Sequence, residues 1–220
     1  MTKLLPLTAA LLALSTAAPP DKFTFVDLEP HANQKLTDVF GRLEGNDLKS
    51  LRKGERTCAS VNFKIGSGVV ELHSRLLPNK RPNKVEGIKV GKTCAKLHIL
   101  HATEYGNAEE GNSIFIKDGT QIAEYKVRYE DGKTETIPVV YGDDVRDWWF
   151  NENAKGVSRG KVAWTGDNDA ATGLQCRIRL YLTTWENPHP GKKIATIDYQ
   201  KTAPDSAAAP FCAAITLEAK

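Results

Sequence analysis

The densest group of side chains that could bind a ligand lies in YGDDVRDWWF, residues 141–150. A sugar presents a flat C–H face ringed by hydroxyl groups. Trp148 or Trp149 offers an apolar plane for that face, and Asp144 and Arg146 offer hydrogen-bonding groups for the hydroxyls. Successive residues of a strand face opposite sides. We therefore predict that one of the two tryptophans lines a ligand surface and that the other is core.

A second aromatic segment, YLTTWENPHP at residues 181–190, leaves a strand-like run and enters a turn. Pro188 and Pro190 cannot donate to a sheet ladder, so they end the strand and stiffen the turn. A stiff turn holds Trp185 and Asn187 in place at little entropic cost on binding. If both aromatic segments lie at one end of the domain, they form a single ligand-binding rim. The alternative is that Trp185 seals the bottom of the core.

Catalysis has weaker support in the sequence. Hydrolysis of a glycosidic bond usually needs two carboxyl groups facing each other across the bond, one often with a raised pKa. No spacing selects such a pair, and no G-x-S-x-G motif indicates a serine nucleophile. No catalytic residue is therefore assigned. The acidic residues near expected loops are Asp143, Asp144, Asp147, Glu104 and Glu186.

Metal binding has no clear ligand set. His98 and His101 lie three apart on one expected strand, so they point to opposite faces and cannot readily share a zinc ion. Calcium favours several oxygen ligands, which Asp27, Asn33 or TGDNDA at residues 165–170 could supply. None of these has EF-hand spacing, and Asp and Asn are common turn residues. We expect no obligatory cofactor and leave calcium open.

The start of the chain has the layout of a secretory signal peptide. Lys3 provides a positive charge, Leu4 to Leu14 is almost wholly apolar, and small residues follow. The apolar stretch is shorter than the roughly 20 residues that span a bilayer. We predict cleavage after Ala17, a single mature domain of residues 18–220 and a secreted or periplasmic location. The alternative is an uncleaved membrane anchor.

The charge balance gives no reason to expect a nucleic-acid partner. The chain has 30 basic and 27 acidic residues, for a net charge of +3. LPNKRPNK, residues 77–84, is basic, and we expect it to be a solvated loop. After the signal segment, no stretch is long and apolar enough for a transmembrane helix.

The chain contains Cys58, Cys94, Cys176 and Cys212, and an exported protein can form disulfides. Spacing alone allows three full pairings. If TCASVNFKI is one strand, Cys58 lies opposite the apolar face that includes Val61, and Cys94 likewise lies on a polar face. Cys176 instead alternates with apolar residues. We predict a Cys58–Cys94 disulfide, with Cys176 a buried thiol or weakly paired with Cys212.

Almost everything after the signal segment has the alternating pattern of short strands. Asp131 and Gly132 predict a hairpin turn in which both residues have positive φ. Residues 33–51 have a helix-like pattern interrupted by Gly41 and Gly45, which predicts a loop with one short helical turn. The expected strands lie in KFTFVDL, TCASVNFKI, GVVELH, VEGIKV, CAKLHILHA, AEYKVRYEDG, TETIPVVYG, KVAWTG, CRIRLYLTTW, KKIATIDYQ and FCAAITLEA. This pattern predicts an all-β sandwich or barrel.

The order of motifs resembles that of galactose-binding-like β-sandwich domains attached to exported bacterial carbohydrate-active proteins. The most specific motifs are LHILHATEYG, VRDWW and WENPHPGKKIATID, and the resemblance extends over nearly the whole mature chain. It implies a jelly-roll sandwich and carbohydrate binding as the common role.

We therefore expect a non-catalytic binding domain for carbohydrate or another cell-envelope polymer. Two alternatives are a small exported glycosidase or lyase, and a structural envelope protein that contacts other proteins. A glycan-binding assay with and without calcium helps to separate these hypotheses. A structural envelope protein need not bind any glycan, whereas a glycosidase or lyase would also cleave it.

Overall fold

The computed structural model describes residues 22–77, 81–106, 111 and 113–219. The predicted signal segment and part of the basic stretch, residues 78–80, lie outside the described residues. The described part of the chain is all-β. Its strands are β1 (Phe23–Phe25), β2 (Gln34–Lys35), β3 (Gly54–Cys58), β4 (Val61–Ile65), β5 (Gly68–Glu71), β6 (Lys84–Lys92), β7 (Lys96–Glu104), β8 (Gln121–Tyr129), β9 (Thr134–Val140), β10 (Trp149–Phe150), β11 (Lys161–Gly166), β12 (Arg177–Glu186), β13 (Ile194–Lys201) and β14 (Ala209–Glu218).

The main sheet is antiparallel and has the order β10-β12-β7-β14-β5-β2, with β1 also paired to β14 and β11 to β12. A four-stranded antiparallel sheet, β6-β13-β8-β9, packs against one of its faces, and β3 and β4 form a separate ribbon. One short helix, α1 (Asp169–Gly173), and two 3₁₀ turns (Glu29–His31 and Lys49–Leu51) complete the regular structure of the described residues. The arrangement is sandwich-like.

Strand β7 lies in the middle of the main sheet, and residues 97–104 are all buried because both faces are covered. On one face, the His101 ring lies 6.0 Å from Tyr125 of β8. On the other, Phe40 of the 36–48 loop packs 5.6 Å from Phe211 of β14, which is paired with Ala102. Because both faces of β7 are covered, a polar side chain at the end of this strand lies in the interior of the protein.

All the segments expected to form strands contain strands in the structure. The 33–51 region is mostly a loop and ends in a 3₁₀ turn, as predicted, but it also contains the short strand β2, which the sequence did not predict. The hairpin between β8 and β9 is also confirmed. Its geometry differs from the prediction, because Gly132 has a φ of +85° while Asp131 does not have a positive φ. The turn is a longer loop with glycine at its left-handed position.

The predicted Cys58–Cys94 disulfide is wrong, because all four cysteines are free thiols. TCASVNFKI is a hairpin and not one strand: Ala59 and Ser60 both have positive φ, and Cys58 pairs with Val61. Paired residues point to the same face, so Cys58 is buried beside Val61 and not on an outer face.

The other three thiols sit in different surroundings. Cys94 is buried, and burial raises its pKa to about 11. Cys212 is buried in β14, where burial raises its pKa to about 12. Cys176 was expected to be core, but it lies just before β12 and is only half-buried. Strand alternation does not determine the direction of this side chain, because β12 begins one residue later.

Among the described residues, no helix has the length and apolar character needed to cross a bilayer.

Candidate ligand-binding site

A cavity of about 340 Å³ opens where β7 ends and the 36–48 loop meets the segment before β10. We call it the main cavity. Most of its wall is apolar or aromatic, and two carboxyl groups reach it, which is the usual composition of a small-molecule site. Its lining residues are Gly41, Arg42, Leu43, Asn46, Leu76, Glu104, Tyr105, Ile114, Asp147, Trp148 and Trp149.

The two adjacent tryptophans divide as strand alternation predicted. Trp148 is 2 % exposed and packs against Phe40 at 5.1 Å and Phe211 at 5.7 Å, so it is core at the base of the cavity. Trp149 is only partly buried and forms a wall of the same cavity. Trp149 is therefore the tryptophan that a ligand can reach.

Asn46 holds the Trp149 ring in place. Its side-chain oxygen accepts from Trp149 Nε1 at 2.9 Å and from Asn168 Nδ2 at 3.0 Å, and its amide nitrogen donates to the Phe40 carbonyl at 2.8 Å. Each polar atom of the amide thus has a partner. An indole fixed before a ligand arrives loses little rotamer entropy on binding.

The 36–48 loop approaches the end of β7 closely through Gly41. This residue has a φ of +65°, and a side chain there would collide with the Tyr105 hydroxyl and press on the Glu104 carboxyl. Tyr105 itself has a φ of +55°, an unusual conformation for a residue with a Cβ. The backbone at this end of the sheet is therefore shaped to bring loop, ring and carboxyl together.

Glu104 belongs to a pair of glutamates that meet across β14. Glu104 pairs with Ala209, and Glu71 of β5 pairs with Phe211 on the same strand. Paired residues and residues two apart share a face, so both glutamates lie on one face, on opposite sides of β14. The small Ala209 side chain leaves room for the carboxyl groups to approach.

The two carboxyl groups lie close enough for Glu71 to influence the pKa of Glu104. Glu71 and Glu104 are 1 % and 2 % exposed, and Oε1 of each has no donor in the described part of the chain. Burial first, and then the Glu71 carboxyl, raise the pKa of Glu104 well above its ordinary value. Arg81 donates to Glu71 Oε2 at 2.7 Å, so Glu71 has a charged partner.

Asp147 is the second carboxyl group of the main cavity. Its two oxygens accept from the backbone N–H of Gly106 at 2.7 Å and of Trp149 at 2.8 Å. Burial raises its pKa to about 6, although both backbone hydrogen bonds favour the carboxylate. The main cavity therefore holds two carboxyl groups, and burial raises the pKa of both.

Asp144 and Arg146 were predicted to contact the ligand, but in the structure both are bonded to other groups of the protein. Asp144 is fully buried, accepts from the Val140 N–H and forms a two-bond ion pair with Arg159. Arg146 donates to both carboxylate oxygens of Asp118 at 2.8 Å. Neither lines the main cavity.

The structure does not bring Trp185 to the same end as Trp149. Trp149 pairs with Ile178 near the start of β12, whereas Trp185 lies seven residues further along that strand and pairs with Leu97. At about 3.3 Å per residue the two ends are roughly 23 Å apart. The single rim expected from the sequence is therefore not formed.

Asn187, the partner expected beside Trp185, closes the turn after β12. Its oxygen accepts from the Tyr129 hydroxyl at 2.5 Å and from the His189 N–H at 2.9 Å, and its amide donates to the Cys94 carbonyl at 2.9 Å. Trp185 is half-buried against the core. This turn is built from internal bonds.

The candidate calcium ligands hold local structure. Asp27 accepts from the Glu29 N–H, Asn33 bonds both backbone groups of Glu71, and Asn168 caps α1 by accepting from the Ala171 N–H. Within the described ranges, no group of three or more His, Cys, Asp or Glu side chains is arranged to hold a metal ion.

Sequence reasoning missed the residues that shape this site. Glu71 gave a signal, because it is an acid within the otherwise apolar run GVVEL. Gly41 gave another, although it was interpreted only as a helix breaker. Asn46 and Tyr105 gave none, since their roles depend on contacts with distant strands.

No protein-family model, curated protein or solved structure matches the chain.

Proposed function

We propose that the chain is an exported, non-catalytic binding protein whose carbohydrate ligand lies in the main cavity against Trp149. The observation that carries this proposal is the combination in one cavity of a fixed indole with two carboxyl groups. We further propose that the sandwich-like fold is a jelly roll of the galactose-binding-like kind, and that the mature domain is secreted or periplasmic.

Two of these groups have a use in binding a sugar. Trp149 supplies a flat apolar surface for the C–H face of a pyranose ring. Asp147, which is only partly buried, can accept a hydrogen bond from a hydroxyl group of the sugar. Because Asn46 already holds the indole, binding does not have to order it.

Glycoside hydrolysis is the second candidate, because Glu104 and Asp147 line one cavity and both have raised pKa values. Binding is favoured over hydrolysis by the position of Glu104, which is 2 % exposed. An acid that must protonate a leaving group needs to reach the glycosidic oxygen.

The test is a glycan array on residues 18–220, followed by calorimetric titration of the best glycan. Trp149→Ala should weaken binding about 30-fold, the effect of removing an aromatic residue worth about 2 kcal/mol. Trp185→Ala is the matched control at the other end of β12 and should leave the dissociation constant within about twofold.

Three results would contradict the proposal. Binding that depends on Trp185 and not on Trp149 would place the site at the other end of the sheet. Release of reducing ends that is lost in Glu104→Gln would establish the glycosidase. Absence of binding to every glycan, with and without calcium, would favour the structural envelope protein.

A further inference from the structure

A second cavity, of about 410 Å³, lies on the other side of Trp149. We call it the basic cavity, because its lining includes Arg146, Lys155 and Arg179. Trp149 and Asp147 line both cavities. A ligand longer than one sugar ring that stacks on Trp149 would therefore pass from the main cavity into the basic cavity.

Arg179 has an unusual environment. It is 5 % exposed, and its guanidinium lies over the rings of Phe150 at 4.9 Å and Tyr181 at 5.2 Å. Its Nε donates to the Asp147 carbonyl at 3.3 Å. The neighbouring arginines 146, 159 and 177 form ion pairs, but within the described part of the chain Arg179 forms none.

A buried guanidinium normally has a carboxylate partner, because an unpaired buried charge is costly. Two aromatic faces offset part of that cost. The Asp147 carboxylate is near enough to attract the guanidinium, but its oxygens accept from two backbone N–H groups and it forms no ion pair with Arg179. The guanidinium thus keeps donors for an anion that enters the cavity.

Lys155 adds a second available cation, since it is exposed and forms no ion pair among the described residues. Arg146 contributes less, because both of its terminal nitrogens donate to Asp118. The cavity therefore combines one buried and one exposed cation without dedicated partners.

We infer that the ligand is an acidic glycan, with a sugar ring against Trp149 and a carboxylate or sulfate group in the basic cavity beside Arg179 and Lys155. This inference rests on the proposed function for the sugar ring. The proposed anion site depends only on Arg179, Lys155 and the cavity that they line, so it can be tested without a glycan.

The first test compares three probes by titration calorimetry: trigalacturonate, its neutral methyl ester and a sulfated galactan tetrasaccharide. The acidic probes should bind more tightly than the ester, and the stronger of the two identifies the anion. Lys155→Gln and Arg179→Gln should each weaken the acidic probes about 10- to 100-fold, the range of a charge-assisted hydrogen bond. Binding of the ester should change less than about twofold.

Arg177→Gln is the matched control, because Arg177 lies on the same strand, is exposed and does not line the basic cavity. It should bind all three probes like the wild type. The inference is wrong, with the proposed function intact, if the ester binds as well as the acidic probes. It is also wrong if Lys155→Gln, which changes only an exposed side chain, leaves the acidic probes unaffected.

A second measurement separates the two ideas if no glycan binds. Sodium sulfate should raise the melting temperature of the wild type and of Arg177→Gln more than sodium chloride of equal ionic strength. Lys155→Gln and Arg179→Gln should lose that difference. The same sulfate effect in all four proteins would overturn the anion site.

Discussion

The two ends of β12 carry similar residues and are built differently. At the C-terminal end of β12, Trp185 packs opposite Leu97 and Asn187 closes the next turn. Lys96 and Glu186 form an ion pair there at 2.8 Å. At the N-terminal end of β12, the amide of Asn46 fixes Trp149, which borders two cavities. Tryptophan, asparagine and glutamate occur at both ends, so residue type does not distinguish them.

Backbone irregularity makes the difference. At the Trp185 end, the pairing of β12 with β7 continues in register to the last residue of the strand. At the other end, Gly41 and Tyr105 have positive φ values, and the chain around them does not continue the ladder of the sheet. Where the strands stay paired, their side chains pack together and fill the space. At the irregular end, beside Gly41 and Tyr105, the main cavity remains, and two carboxyl groups line it.

The largest effect on stability should follow Trp148→Ala. The ring is core and contacts both Phe40 and Phe211. We expect a loss of about 3–5 kcal/mol in the free energy of unfolding, because the cavity left behind adds to the lost transfer energy. Urea denaturation measures this loss. A change below about 1 kcal/mol would show that the base of the main cavity is not packed as described.

Gly41→Ala should come next, at about 2–3 kcal/mol, because its φ is positive and the new methyl group would collide with Tyr105. We also expect weaker glycan binding, since the loop must move away from Glu104. Gly191→Ala at the Trp185 end is the control: Gly191 has no positive φ and its Cβ would meet nothing within 4 Å. Equal losses in the two variants would contradict the special role of Gly41.

Trp185→Ala should have an intermediate effect, about 1.5–3 kcal/mol, because the ring is half-buried. Glycan binding should stay unchanged, which separates a stability role from a ligand role. Denaturation and titration of one protein preparation measure both. Nearly unchanged stability together with lost binding would restore Trp185 as a ligand residue.

The smallest effect concerns pH. Folding raises the pKa of Glu104, so the folded state binds more protons than the unfolded state and stability falls as pH rises above the unfolded value, about 4.3. Glu104→Gln removes this group. The stability of the wild type relative to the variant should therefore fall between pH 5 and pH 8, by at most about 1.4 kcal/mol per pH unit.

Two further groups act on the wild type and the variant alike. Asp147, whose pKa is raised to about 6, acts in the same direction as Glu104. His101, whose pKa burial lowers to about 4, acts oppositely, because its stabilising effect is lost as pH falls. The comparison between the two proteins removes both to first order.

Glu135→Gln at the Trp185 end is the control with the opposite sign. The hydrogen bond from His189 lowers the pKa of Glu135, so its stabilising effect is lost as pH falls. A stability difference between the wild type and Glu104→Gln that does not change with pH would contradict the raised pKa of Glu104.

The sequence by itself determined the class of fold and the local alternation along each strand. Period-two patterns located the strands, placed His98 and His101 on opposite faces and predicted that one of Trp148 and Trp149 is core, without identifying which. These inferences succeeded because side-chain direction in a strand depends only on neighbouring residues. Where the strand assumption failed, as at Ala59 and Ser60, the face of Cys58 and its predicted disulfide failed with it.

Only the tertiary structure decided which polar residues meet. Glu71 and Glu104 come together because both flank β14, and Asn46 reaches Trp149 across a separation of 103 residues. Trp185 and Trp149 end up apart because the sheet register assigns them to opposite ends of β12. Register depends on pairing between distant segments, and no local pattern records it.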